Sequence, residues 1–130
     1  MIAPKPLDRF PLIRTRHIDE MRAVLGRVFA RPATQVDSLA GSIDAVLHNH
    51  QLKDVGLSYL SYGAPVRVSI PETDVFSQIF LVRGSREFSV GRKVVSANLE
   101  RAQAVASSPG MSITAKLSAD YEQVSLRIDS

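Results

Sequence analysis

The chain contains no cysteine, and this absence excludes disulfide bonds and thiolate chemistry from its fold and activity. No apolar run approaches the roughly 20 residues that a membrane-spanning helix requires. The N-terminal residues carry scattered charges and prolines in place of the continuous apolar segment of a secretory signal. We therefore expect a cytoplasmic protein without a membrane partner.

Positive charge is in excess but forms no block. The sixteen Lys and Arg residues are interleaved with thirteen acidic residues, giving a formal net charge of +3. A nucleic-acid-binding surface requires clustered charge, so we interpret the excess as solvated surface. The length of 130 residues and the hydrophobic fraction of 45% are ordinary for one soluble globular domain.

Helical periodicity is confined to a segment near the N-terminus. Residues 1–16 include three prolines and predict an extended arm, ending in a short strand at 10–13. Apolar residues then recur at i, i+3, i+4 and i+7, which predicts an amphipathic helix over 18–31 that Pro32 ends. Its apolar stripe must pack on the sheet, either on the outside of the barrel or across one end.

Residues 43–128 alternate short strands with turns, as expected of an all-β sandwich or barrel. Strands are predicted at 43–52, 55–62, 66–70, 76–82, 86–90, 93–97, 102–107, 111–117 and 121–128. Hairpin turns are predicted between them, including Gly84–Ser85 and residues 118–120.

Three further local features stand out. Residues 31–42 predict a polar loop. Residues 62–65 predict a sheet corner at which Gly63 adopts a backbone angle that other residues resist. In the last strand Val124, Leu126 and Ile128 alternate with polar residues, the period-2 pattern of a half-buried strand.

Three segments carry a family resemblance: residues 18–25 (IDEMRAVL), 57–68 (LSYLSYGAPVRV) and 117–124 (LSADYEQV). Together they resemble the ligand-sensing N-terminal domain of AraC-type transcription regulators, in the subgroup with a short helix before a cupin-like jelly roll. The resemblance extends from about residue 10 to residue 128. It implies a mainly β, cupin-like jelly-roll barrel with one flanking N-terminal helix, which binds a small-molecule effector and is not an enzyme.

The same resemblance implies partners. In that family a C-terminal pair of helix-turn-helix units binds DNA, and helices after the barrel often mediate dimerisation. Because the sequence stops at Ser130, we expect a fragment of a longer regulator that forms a homo-oligomer and binds DNA only through a domain not in this chain. The alternative is a free-standing small cupin, either a metal-dependent enzyme or a carbohydrate-binding module. A metal bound at His48 and His50 would favour the enzyme.

His48 and His50 are the residues with metal-ligand spacing, because side chains at i and i+2 of a strand share a face. No third ligand stands at a suitable position, so we expect solvent-facing histidines, no metal and no cofactor. No serine sits in a glycine-flanked elbow, and no carboxylates pair, so we expect no catalytic residues.

Two amides interrupt apolar rows. Asn49 follows Ile43, Ala45 and Leu47 along one face, and Gln78 stands between Phe76 and Phe80. A buried amide without a partner costs about 1–3 kcal/mol, so each either bonds within the core or faces a ligand. We predict a ligand cavity lined by Asn49 and Gln78, with Tyr59 and Tyr62 as secondary candidates.

Overall fold

The structure, a computed structural model, describes residues 5–28, 35–39, 41–70, 76–90, 92–98, 104–107 and 113–128. In these ranges one helix, α1 (Ile18–Val28), accompanies eleven strands. The strands are β1 (Pro11–Thr15), β2 (Gln35–Ser38), β3 (Ala45–Leu52), β4 (Val55–Ser61), β5 (Val66–Ile70), β6 (Phe76–Arg83), β7 (Ser85–Val90), β8 (Lys93–Asn98), β9 (Ala104–Ser107), β10 (Ile113–Leu117) and β11 (Glu122–Ile128).

The strands form two antiparallel sheets. The six-stranded sheet has the order β1-β3-β4-β11-β6-β9, and the five-stranded sheet has the order β2-β5-β10-β7-β8. The mainly β fold class is therefore confirmed. Because β6 and β7 lie in different sheets, as do β10 and β11, the segments at Gly84 and at residues 118–120 are crossings. The hairpins predicted there are wrong, since the same turn residues serve either kind of connection.

The corner at residues 62–65 is a third crossing, from β4 to β5, and its prediction is confirmed. Gly63 has φ +68°, and a Cβ there would lie 2.7 Å from the carbonyl oxygen of Asp44. The Asp44 amide donates a 2.9 Å hydrogen bond to the Tyr62 carbonyl oxygen, which holds the two segments together. Glycine is required here by both conformation and space.

Strand β2 is absent from the predicted pattern, which treated residues 31–42 as a loop. It pairs with β5, with Val36 opposite Val68, and its other three side chains are exposed. A strand with a single buried apolar residue has no measurable alternation. Its conformation is set by pairing with β5, which local sequence cannot reveal.

The hydrophobic core lies between the sheets, and α1 closes one side of it. The helix contacts the two edge strands β1 and β2, and its buried side chains, Met21, Val24 and Leu25, join the core. The predicted burial of its stripe is thus confirmed, but the helix lies against an edge strand of each sheet and not on the outside of the barrel. The predicted helix residues 29–31 lie outside the described ranges. In the described part of the chain no helix has the length and apolarity to cross a membrane.

Residues 5–10 lie on the outer face of the six-stranded sheet, the face turned away from the core. The backbone N–H of Asn49 donates to the Phe10 carbonyl oxygen at 2.9 Å, and the Phe10 ring stacks on His50 with centroids 4.1 Å apart. The arm therefore covers the part of the outer face around His48, His50 and Glu122.

Candidate functional site

Strand β11 turns polar side chains toward the core. Gln123, Ser125 and Arg127, here called the inward polar row, are each 6% exposed, whereas Ile128 on the opposite face is 42% exposed. Gln123 lies between the core residues Leu60 and Leu81 in the sheet register, which fixes this orientation. The alternation predicted for this strand is confirmed, but its polar row is the one that faces the core.

The middle of the row adjoins a second polar pair. Ser125 lies beside Ser58, and Ser58 lies beside Asn49 in the register. The Ser58 hydroxyl donates to the Asn49 side-chain oxygen at 3.1 Å. Asn49 is thus on the inner face, as predicted, and has a partner there.

Arg127 occupies the end of the row near the β3–β4 turn. Its Nη2 donates to the Gln51 side-chain oxygen at 2.8 Å. The guanidinium lies over Gly56, where an added Cβ would be 2.6 Å from Nη2. The absence of a side chain at Gly56 therefore makes the space that Arg127 fills.

The other end of the interior holds a second buried arginine. Arg86 of β7 is 5% exposed and lies between Leu117 and Ala97 in the register, so it faces the core from the five-stranded sheet. Its Nη1 is 3.5 Å from the Tyr121 hydroxyl, which donates to the Gln123 side-chain oxygen at 2.7 Å. These contacts connect the two sheets across the interior.

Two phenols in this region remain protonated at neutral pH. Burial raises the pKa of Tyr121, and the positive charge of Arg86 lowers it by less. Burial likewise raises the pKa of Tyr62, with the neighbouring Tyr121 adding to the effect and Arg86 opposing it. Both hydroxyls are therefore hydrogen-bond donors beside a fixed positive charge.

The four predicted site residues do not come together. Asn49 and Tyr62 face the core, whereas Tyr59 and Gln78 belong to the rows of Val124 and Leu126 on the outer face. Asn49 and Gln78 thus lie on opposite faces of one sheet and cannot line one cavity. A ligand contact of any of the four stays a prediction.

The outer face carries a separate cluster. Glu122 accepts a hydrogen bond from the Tyr59 hydroxyl and a 2.9 Å hydrogen bond from Lys5 Nζ. Burial alone would raise the pKa of Glu122, but these hydrogen bonds and the nearby charges of Lys5 and Arg83 lower it overall. Burial, with a smaller effect of the hydrogen bond to Glu122, raises the pKa of Tyr59 to about 12. The cluster fastens the arm to the sheet.

His48 belongs to this cluster and is not solvent-facing as predicted. It is 9% exposed, its Nδ1 is 3.0 Å from the Pro6 carbonyl oxygen, and its ring packs against Tyr59. Both histidines do share the outer face, as their spacing predicted. Within the described ranges no three His, Cys, Asp or Glu residues are grouped to hold a metal ion.

Sequence reasoning missed Arg86, Gln123 and Arg127. A signal for Arg86 was present, because it shares a row with Phe88 and Val90 in a strand whose alternate row, Ser85, Glu87 and Ser89, is polar. For β11 the signal was ambiguous, because either row was acceptable as the inner one. The interior between the two sheets offers amides, hydroxyls, phenols and guanidinium groups, which suit binding of a polar small molecule.

Comparisons with known proteins agree with this architecture. A family model described as "AraC-binding-like domain" matches residues 21–130. The structure of the AraC-like transcriptional activator CuxR is similar with a TM-score of 0.74 and 13% identity, over 92% of this chain and 47% of that one. This chain thus spans about half the length of CuxR.

Two other solved structures share the fold. A structure of unknown function from Rhizobium leguminosarum has a TM-score of 0.56 and 14% identity, over 92% of this chain and 99% of that one. The cupin domain of Schizosaccharomyces pombe Cnp3 has a TM-score of 0.52 and 9% identity, over 70% of each chain. The cupin-like fold is therefore confirmed. No curated protein matches the chain in sequence.

Proposed function

Because the chain belongs to the AraC-binding-like domain family, we propose that it is the effector-sensing domain of an AraC-type transcription regulator, with a small molecule bound between its sheets. The inward polar row of β11 carries this proposal. Gln123, Ser125 and Arg127 bring hydrogen-bonding groups into a core whose other members are mostly apolar. Gln123 accepts from Tyr121 and Arg127 donates to Gln51, so the protein holds the row in place, and ligand sites set a few such fixed polar groups in an otherwise apolar lining.

The domain holds its ligand without transforming it. On the inner faces of the described strands, the polar side chains are amides, hydroxyls, a lysine and arginines, joined by the phenols of Tyr62 and Tyr121 just beyond the strand ends, and no carboxylate or imidazole is among them. General acid–base catalysis most often uses those two groups. Recognition, followed by a change in how the domain meets its partners, is the function that this chemistry supports.

DNA binding belongs to another domain of such a regulator. The apolar side chains of α1 are buried in the core, so the helix serves packing and is not free to enter a major groove. Self-association suits the outer faces of β6 and β11, where Phe80, Val82 and Ile128 are each more than a third exposed. We propose a homodimer through this surface.

A thermal-shift screen of small metabolites tests the sensor function. An effector that binds only the folded state stabilises it by about 2.7 kcal/mol at a hundredfold excess over its Kd. We expect a hit to raise the Tm of the wild type and of Gln78→Leu on the outer face, but to act less on Asn49→Leu on the inner face. Equal responses of both variants would place the ligand elsewhere, and a screen without hits would count against the sensor function.

A further inference from the structure

The inferred chemical class of the effector rests on Arg86, one of two arginines that face the interior among the described residues. Its side chain is enclosed by Leu117, Ala97 and Phe88, with the guanidinium carbon 5.7 Å from the centre of the Phe88 ring. Transfer of a charge from water into such surroundings is costly unless an opposite charge or several hydrogen bonds compensate. The compensation visible here is small.

Arg86 has no anionic partner among the described residues. Its Nη1 approaches the Tyr121 hydroxyl at 3.5 Å, the long limit of a hydrogen bond, and its buried Nε has no acceptor. The carboxylates that form ion pairs in the described ranges lie on the surface or the outer face and have other partners. These pairs are Asp44 with Arg14, Asp19 and Asp37 with Arg22, Asp120 with Arg83, and Glu122 with Arg83 and Lys5.

The geometry around Arg86 is that of a site for one end of a ligand. Tyr121 and Tyr62 lie within electrostatic range of the guanidinium and carry protonated hydroxyls. Gln123, on β11 of the opposite sheet, accepts from the Tyr121 hydroxyl and begins the inward polar row, which continues along the interior to Arg127. An acid group at Arg86 would place the remainder of a small molecule along hydrogen-bonding side chains.

We propose that the effector is an anion, and that its carboxylate or phosphate group is bound by Arg86. The planar guanidinium fork matches both oxyanions, and the Nε edge without an acceptor is one that binds them side-on. This inference rests on the proposed sensor function and adds the charge of the ligand and the residue that recognises it. A ligand of this kind supplies Arg86 with the counter-charge that none of the described residues provides.

The test uses inorganic phosphate, succinate and the neutral analogue succinamide as probes, with Kd measured by calorimetry and Tm by thermal shift. The proteins are the wild type, Arg86→Met, Arg86→Lys and Arg67→Met. Arg67 is exposed on β5, so its replacement removes the same charge without touching the interior. We expect phosphate or succinate, but not succinamide, to bind the wild type and Arg67→Met.

Arg86→Met should weaken anion binding by about tenfold or more, the loss expected for a charged hydrogen bond. Without ligand its Tm should equal or exceed that of the wild type, because an uncompensated buried charge has been removed. Arg86→Lys should keep part of the affinity, since charge remains without the fork.

A structural role for Arg86 predicts the reverse, a lower Tm with anion binding within twofold of the wild type, and that result would overturn the proposal. Neutral hits in the metabolite screen that ignore Arg86→Met would also overturn it, while leaving the sensor function intact. Failure of every neutral and anionic compound at millimolar concentration would contradict both.

Discussion

Replacing Tyr59 with phenylalanine tests the cluster that holds the arm on the six-stranded sheet. The Tyr59 hydroxyl donates to the carboxylate of Glu122, whose side chain is only 10% exposed. A hydrogen bond to a charged group contributes about 1.5–3 kcal/mol. We therefore expect Tyr59→Phe to lower the free energy of unfolding by that amount, or the Tm by about 6–12 °C at roughly 4 °C per kcal/mol for a domain of this size.

The neighbouring interactions are expected to matter less. The Lys5 side chain is 50% exposed, so Lys5→Met should cost less than about 1 kcal/mol. Glu122→Gln removes a buried charge, which favours the folded state, but weakens the hydrogen bond that this side chain accepts from Tyr59, which disfavours it. The two effects on the free energy of unfolding therefore oppose each other. In that background Tyr59→Phe should cost only the 0.5–1.5 kcal/mol of a neutral hydrogen bond, about 1 kcal/mol less than in the wild type.

The measurement is a double-mutant cycle of urea unfolding on Tyr59→Phe, Glu122→Gln and the double variant. A coupling energy near zero, with Tyr59→Phe within 0.5 kcal/mol of the wild type by the usual limit for surface substitutions, would refute the hydrogen bond. An unchanged m-value is needed for this conclusion, because release of the arm would alter the surface exposed on unfolding.

The same cluster predicts a pH dependence with opposite signs for its two groups. The pKa of Glu122 is lowered below its ordinary 4.5, so its contribution is complete above pH 4.5 and is lost as pH falls through the folded-state pKa. The pKa of Tyr59 is raised from 10.0 to about 12, so its contribution is complete below pH 10 and is lost as pH rises toward 12. Glu122→Gln should flatten the acid limb of stability and Tyr59→Phe the alkaline limb.

Three further predictions concern the corner, the histidines and the outer face. Gly63→Ala should lower the free energy of unfolding by at least 1 kcal/mol more than Gly41→Ala, measured by chemical unfolding. Both glycines have φ +68°, but only at Gly63 would the new Cβ contact backbone atoms. Untagged protein should contain negligible zinc, iron or manganese by elemental analysis, and stoichiometric metal lost in His48→Ala would contradict this. Phe80→Ser should weaken self-association in light scattering on a sizing column, whereas the control Val94→Ser, 60% exposed on the other sheet, should not.

Sequence periodicity was sufficient for the elements whose two faces differ. Helix α1 has its stripe of Met21, Val24 and Leu25, and β10 alternates buried Ile113, Ala115 and Leu117 with exposed residues. In both, one face contacts the core and the other contacts water, so the pattern has a single physical interpretation.

Periodicity failed where the row that faces the core is the polar one. In β11 Gln123, Ser125 and Arg127 face the core, whereas the row of Glu122 and Ile128 lies on the outer face, so residue type alone assigns the wrong row to the interior. Partners 117 residues apart, such as Lys5 and Glu122, leave no local trace in the sequence. Likewise, the charge of Arg86 predicts a surface position from sequence alone, and only the register shows that it lies beside Leu117.

A substitution at Gly56 decides which row of β11 faces the core. If the apolar row were inside, Arg127 would be in solvent, and Gly56→Ala would stabilise β4 by about 0.5–1 kcal/mol, since glycine is the poorer strand residue. In the structure the new Cβ lies 2.6 Å from Arg127 Nη2 and 3.0 Å from the Gln51 side-chain oxygen. The guanidinium must therefore leave its 2.8 Å hydrogen bond to Gln51, at a cost of about 1.5–3 kcal/mol. In an Arg127→Met background, where the bond is absent, the same substitution should be nearly neutral. Urea unfolding of the four proteins measures the difference, and an equal effect of Gly56→Ala in both backgrounds would mean that Arg127 does not lie over that glycine.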